Sequence, residues 1–177
     1  MATMTRVAAS APPALSAGEV VIRPASAADA ARVHQLIAEN LVSGHLLARP
    51  LGEVELHVPR FLVAADGNHV IGCGELARLS AAVAEVRSLV VAETHRGCGV
   101  GRRLLNALIE EAVLQRFPRV CAFTHQARPF VRTGFSIVPH PWVPEKIAAN
   151  CQRCELFRRC RQYAVVLDLK RRAGAWR

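Results

Sequence analysis

The chain has 177 residues, 51% of them apolar, and carries a formal net charge of +9 from 23 basic and 14 acidic side chains. That length and apolar content suit one compact domain of two or three layers without disulfides and leave little for a second. No uninterrupted apolar run approaches the roughly 18 residues of a membrane span. The charge favours anionic partners of any kind. Charge alone does not choose among them, but an aromatic content of 5% leaves few of the stacking platforms that a single-strand nucleic-acid binder needs, so nucleic acid and membrane are not expected.

Residues 1–19 are rich in alanine, serine and proline and lack the compact apolar core of a signal peptide, so they read as a disordered tail. Val20 to Arg23 is a strand candidate. Ser26 follows as a helix cap with Asp29 placed to reach back to its backbone N–H. Ala30, Val33, Ile37 and Leu41 then recur at helical spacing, which predicts one buried stripe. Leu46 to Val58 is less regular and reads as a loop with a short helix ending before Pro59. Phe61–Ala65 and Val70–Leu79 read as a hairpin around Asp66, Gly67, Asn68 and His69. Glu85–Val91 is a third strand. After it comes a glycine-rich turn, and then a long helix marked by Leu104, Leu105, Leu108, Ile109, Ala112 and Val113, closed by Pro118. Val120–Thr124 is a strand, Pro129–Thr133 a short helix, and Phe135–Val138 and Ala164–Leu169 are the last extended segments. The order predicts a mixed sheet covered by helices.

The turn Arg96, Gly97, Cys98, Gly99, Val100, Gly101 and Arg102 carries the most specific chemistry. Glycines between a strand and a helix let backbone N–H groups approach phosphate oxygens, and the helix start adds unpaired N–H groups and a favourable dipole. A tight structural connection is the plain alternative. The turn lacks the Gly-Lys-Ser/Thr ending of a nucleoside-triphosphate loop. It also lies in mid-chain after a hairpin, where a dinucleotide fold would have it after the first strand.

With Val90, Val91, Leu104 and Leu105, this turn resembles the core motif of the GCN5-related N-acetyltransferase superfamily, and the similarity spans roughly Val21 to Leu169. A closer resemblance is to single-domain amino-acid N-acetyltransferases that act as N-acetylglutamate synthases. It is carried by Leu46, Leu47 and Arg49, by Ala84 to Val91, by Phe123 to Phe135, and by Trp142 to Lys146 leading to Cys151, Cys154 and Cys160. The resemblance implies an α/β fold with a mixed, mainly antiparallel sheet in an α/β/α sandwich, spanning residues 20–170 with a cysteine-containing segment at 140–163 and a basic end at 171–177. It implies acetyl-CoA as co-substrate, held by Leu89, Val90, Val91 and the turn from Arg96 to Arg102. Phe130 stands where many relatives place a tyrosine near the leaving thiolate. The implied reaction is acetylation of the α-amine of L-glutamate for arginine biosynthesis, in the cytoplasm, with a homodimer as one assembly open to the protein. The resemblance leads us to expect no kinase-like regulatory domain of the sort that longer relatives carry.

Acetyl transfer needs a free amine lone pair, a polarised thioester carbonyl and fixed mutual orientation. Glu85, at the start of the strand that feeds the turn, is the candidate base, with an exposed strand-end glutamate as the alternative. The backbone N–H groups of Leu89 to Val91 would meet the pantetheine or the oxyanion if the strand splays from its neighbour. Arg49 and Arg87 are the first candidates for the acceptor's carboxylates, because Arg87 shares side-chain parity with Glu85. Arg132 and Lys146 are the second pair, and solvated surface charge is the alternative for each. Cys151, Cys154 and Cys160, with His140, have a spacing that permits zinc, but simple thiols fit as well, and no metal is expected. Rival readings are an enzyme of the same fold acting on another small amine or a protein N-terminus, and a basic interaction protein without catalysis.

Overall fold

The computed structural model describes residues 20–41 and 46–170; the tail and the basic end expected from the sequence lie outside the described residues. Seven strands form one sheet: β1 (Val21–Pro24), β2 (Phe61–Asp66), β3 (His69–Arg78), β4 (Val83–Val91), β5 (Arg119–Thr124), β6 (Ser136–Val138) and β7 (Tyr163–Asp168), in the spatial order β1-β2-β3-β4-β5-β7-β6. Only β4 and β5 are parallel; the other neighbours run antiparallel. The α-helices lying wholly within the described residues are α1 (Ala30–Glu39), α2 (Leu51–His57), α3 (Val100–Leu114), α4 (Ala127–Arg132) and α5 (Pro144–Ala149). The result is a mixed, mainly antiparallel sheet between two helical layers, as the sequence predicts.

Each layer follows from an apolar stripe. Leu105, Leu108, Ile109 and Ala112 of α3 pack on Leu76, Ala84, Val86, Val120 and Val165, and α4 adds Ala127 and Phe130 to this cluster. On the opposite face, Val33, Leu36 and Ile37 of α1 and Val54 of α2 cover Phe61, Val63, Cys73 and Val90. The α1 start is fixed locally. The Ser26 N–H and hydroxyl both donate to Asp29 at 2.7 and 2.8 Å, and Arg23 grips the same carboxylate with two hydrogen bonds. Those bonds, Arg23's first, hold the Asp29 carboxyl well below its ordinary value.

Two irregularities in the sheet shape the site. Cys73 faces Val90 and Glu75 faces Arg87, so Gly74 stands opposite both Ser88 and Leu89, and Ser88 adopts a left-handed φ of 51°. This bulge inserts one residue and reverses the side-chain alternation beyond it. Arg87 therefore points to the α1 face while Leu89 packs with the α3 side. The second irregularity is that β4 and β5 pair only from Val83↔Arg119 to Glu85↔Cys121, although both strands continue. Beyond Glu85 they part, which is the splay that the sequence reading required.

Candidate active site

The far side of this parting ends on the glycine turn. Gly97 and Gly99 have φ of 80° and 82°, and a Cβ added at either would meet nothing within 4 Å. The turn therefore needs glycine for its backbone, and the space above it is open. Gly99 caps α3, whose first N–H groups have no intrahelical acceptor, so the surroundings fit a phosphate group. The Ala92 N–H donates to Ile71 of β3 at 2.7 Å. By the antiparallel alternation, the Val91 N–H and carbonyl face the opposite way, into the parting.

The arginines of the turn are held unequally. Arg96 donates from Nε to the Val91 carbonyl at 3.1 Å and from Nη2 to the Asn40 side chain, tying the turn to the end of α1. Arg103 reaches the Val20 carbonyl at 2.5 Å, whereas Arg102 and Cys98 are exposed. Gly101 lies beside Val91, where a Cβ would sit 3.6 Å from the valine methyl.

Near the point of parting, on the face of α1 and α2, a polar seam runs between two apolar clusters. One cluster is that of α1 and α2; the other joins Val83, Cys121 and Ala164 to Val143, which precedes α5. Glu85 is 2% exposed and accepts a contact of 2.7 Å from the Lys146 ammonium of α5. Its second oxygen, Oε2, is buried without a partner among the described residues, as is Oε2 of Glu145. Lys146 also lies 5.8 Å from the centre of the Phe123 ring, which packs on His140.

On the neighbouring strand stands a residue that the sequence reading did not single out. Glu75 of β3 is fully buried and directly opposite Arg87. Arg87 grips it side-on, Nε to Oε2 at 2.8 Å and Nη2 to Oε1 at 3.0 Å. Arg49 reaches the same carboxylate from the loop before α2, Nη1 to Oε2 at 2.5 Å. Burial alone would raise the Glu75 carboxyl, but the hydrogen bonds and charges of Arg87 and Arg49 outweigh it and hold it below its ordinary value. Burial likewise opposes the Arg87 cation, and Glu75 outweighs that burial. A lone acid in the apolar run from Val70 to Ala77 was the available signal, since a buried charge needs a partner.

Arg49 and Arg87, the first candidates for the acceptor's carboxylates, thus meet on an internal carboxylate. All five N–H groups of Arg49 are engaged: Nε and Nη2 on Glu53, Nη2 also on His57 Nδ1, and Nη1 on Glu75 and on the Ser88 hydroxyl of the bulge. Because a guanidinium only donates, His57 Nδ1 accepts, which places the ring proton on Nε2. Burial, then the charge of Arg60, pushes the His57 pKa down, in keeping with a neutral ring. Arg87 keeps its Nη1 and one Nη2 hydrogen without a partner among the described residues, and its side chain is 24% exposed.

The other candidates lie apart from this seam. Phe130 is buried in the α3-side cluster with its ring edge-on to Phe135. Arg132 is exposed on the last turn of α4, which belongs to that same cluster. Cys151, Cys154 and Cys160 are half-buried free thiols. His140 Nε2 is committed to the Gln162 carbonyl at 2.7 Å. Among the described residues no group of three or more His, Cys, Asp or Glu side chains is placed to hold a metal ion, and no helix is long and apolar enough to cross a membrane.

The model of the acetyltransferase (GNAT) family matches residues 32–135, and the chain belongs to this family. It is 30% identical over 159 residues, covering 88% of this chain and all of the relative, to an uncharacterized N-acetyltransferase of Chlorobaculum tepidum. It is 29% identical over 119 residues, 66% of this chain and 68% of the relative, to an amino-acid acetyltransferase of Mycobacterium tuberculosis. Among solved structures, the fold matches N-acetylglutamate synthase of Neisseria gonorrhoeae, complexed with coenzyme A and N-acetyl-glutamate, with a TM-score of 0.75 and 24% identity. That match covers 85% of this chain and 35% of the other.

Proposed function

We propose that the protein transfers the acetyl group of acetyl-CoA to the α-amine of a carboxylate-bearing amino acid, with L-glutamate as the first acceptor to test. The observation that carries the acceptor class is the free end of Arg87. Its side-on edge is locked on Glu75, and the remaining edge is a fixed two-pronged donor for a carboxylate. The amino-acid acetyltransferase of Mycobacterium tuberculosis and the N-acetylglutamate synthase of Neisseria gonorrhoeae support the same class.

In this reading the open turn at Gly97 and Gly99 receives the pyrophosphate of acetyl-CoA, and the thioester lies in the parting of β4 and β5. The Val91 N–H is available to the oxygen of the thioester carbonyl as charge develops there. Attack by the amine forms a C–N bond and breaks the C–S bond. The amine's proton leaves to Glu85 Oε2, directly or through water, and the coenzyme departs as a thiolate, a comparatively stable anion at neutral pH. Lys146 holds the other Glu85 oxygen and keeps the carboxylate oriented.

A second reading, an acceptor with an uncharged side chain, is favoured by the neutralisation of Arg49 and Arg87 by Glu53 and Glu75. The deciding experiment incubates the protein with acetyl-CoA and a panel of amino acids, amino-acid amides and simple amines, and follows release of free thiol. Selective turnover of glutamate supports the first reading, and preference for glutamine or another neutral amino acid supports the second. Thiol release with no amino acid in the panel sinks both.

A further inference from the structure

Arginines facing an acceptor ordinarily make a seam attractive to anions, yet here the chain supplies the anions itself. Arg49 is matched by Glu53 at 2.8 Å and by Glu75 at 2.5 Å, and Arg87 is matched by Glu75 at 2.8 Å. Lys146 is matched by Glu85 at 2.7 Å. Arg49, Arg87 and Lys146 therefore each have a carboxylate partner from the fold, and of these three the free edge of Arg87 is the donor fork left open among the described residues. Glu75 is the member of this set with no contact to solvent, so its charge is screened least.

We propose that Glu75 is the specificity-determining residue of the acceptor seam: its buried charge offsets one arginine, so one carboxylate is held at Arg87 and Glu75 sets, by weakening it, the preference of the seam for a second. The inference rests on the reading of this seam as the acceptor site. It requires no contact between Glu75 and the acceptor, because a charge a few ångströms beneath Arg87 acts through the field. For a second acceptor carboxylate at roughly 8 Å in a partly buried site, removing that repulsion corresponds to an effect on the order of tenfold.

The test compares L-glutamate with L-glutamine, which differ by one charge and little in shape, by calorimetric titration into the CoA-saturated protein. Glu75→Gln keeps the size of the side chain and removes its charge, and the ratio of glutamate to glutamine affinity is expected to rise on the order of tenfold. Arg49→Gln removes a cation whose donors are all engaged internally, and the ratio is expected to fall. Glu75→Asp keeps the charge, and the ratio is expected to stay near that of the wild type. A merely structural Glu75 would change melting temperature and both affinities together, leaving the ratio unmoved.

An unchanged ratio in both Glu75→Gln and Arg49→Gln overturns the proposal, as does absence of amino-acid binding in every variant. If Glu75→Gln does not fold, Arg49→Gln alone decides. Acetyl transfer by the wild type is assayed separately with the full amine panel. A protein that binds the two amino acids with the expected shifts but transfers no acetyl group refutes the function and leaves the charge proposal standing, and turnover with an unmoved ratio does the reverse.

Discussion

Glu85 sits at the last paired position of β4 and β5, so its carboxylate lies where the two strands begin to part. Replacing it by Gln keeps the shape of the side chain but removes the proton acceptor and leaves the Lys146 ammonium, 15% exposed, without its counter-charge. We expect Glu85→Gln to bind CoA as the wild type does, because the glycine turn is a separate part of the cleft. Its turnover should fall by about 100-fold or more, the range that a positioned base contributes. The deficit should be largest at low pH, where the acceptor amine is mainly protonated. A pH-rate series on a variant shown to be folded by circular dichroism tests this, and near wild-type turnover across the series would reduce Glu85 to an orienting group. Arg49 illustrates the reverse lesson at the same scale. The sequence offers it for the acceptor's carboxylates, and its partners show it holding α2, β3 and the β4 bulge together.

At the scale of elements, the glycine turn and α3 act as one unit. Gly99 is the residue before the first turn of α3, with φ of 82° and open space where a Cβ would stand. A bulky L-residue there meets two penalties, backbone strain of the order of 1 kcal/mol and a side chain projecting into the phosphate position. Gly99→Leu is therefore expected to weaken CoA binding at least tenfold by calorimetric titration while sparing amino-acid binding at the seam. An unaltered CoA affinity in the folded variant would remove the turn from the cofactor site. The β4 bulge is the second element-level device. By inserting Ser88 it sends Arg87 to the seam and Leu89 to the α3-side core, two placements that strict alternation along β4 cannot deliver together with a buried Val90.

For the whole molecule, three titrating groups give stability the same sign of pH dependence. Asp29 and Glu75 have carboxyls held below their ordinary values in the fold, so between those values and the unfolded ones, near 4, the unfolded chain binds more protons. Their contribution is present above about pH 4 to 5 and is lost progressively as pH falls below that range toward the folded values. His57 is pushed down as well, so its neutral form is native, and its contribution begins to be lost as pH falls below about 6.5. Urea midpoints are therefore expected to decline modestly from pH 7 to 5.5 and steeply below about pH 4.5, with Asp29→Asn flattening the lower limb. A midpoint constant from pH 7 to 3.5 would contradict the charge network drawn here.

The sequence by itself determined the features that depend on near neighbours in the chain. The Ser26–Asp29 cap, the hairpin at Asp66 to His69, the apolar stripe of α3 and the glycine turn are all set by spacing, propensity and backbone freedom within a few residues. Parity along one strand likewise put Glu85 and Arg87 on one face. The tertiary structure alone decided which strands part, how β7 inserts between β5 and β6, that Pro144–Ala149 is a helix, and what the charged side chains meet. Glu75 and Arg49 are 26 residues apart in sequence, and Glu75 and Arg87 are 12 apart. No local pattern encodes their meeting, because a buried ion pair is fixed by strand register and by the cost of leaving either charge unmatched, and both are properties of the assembled sheet.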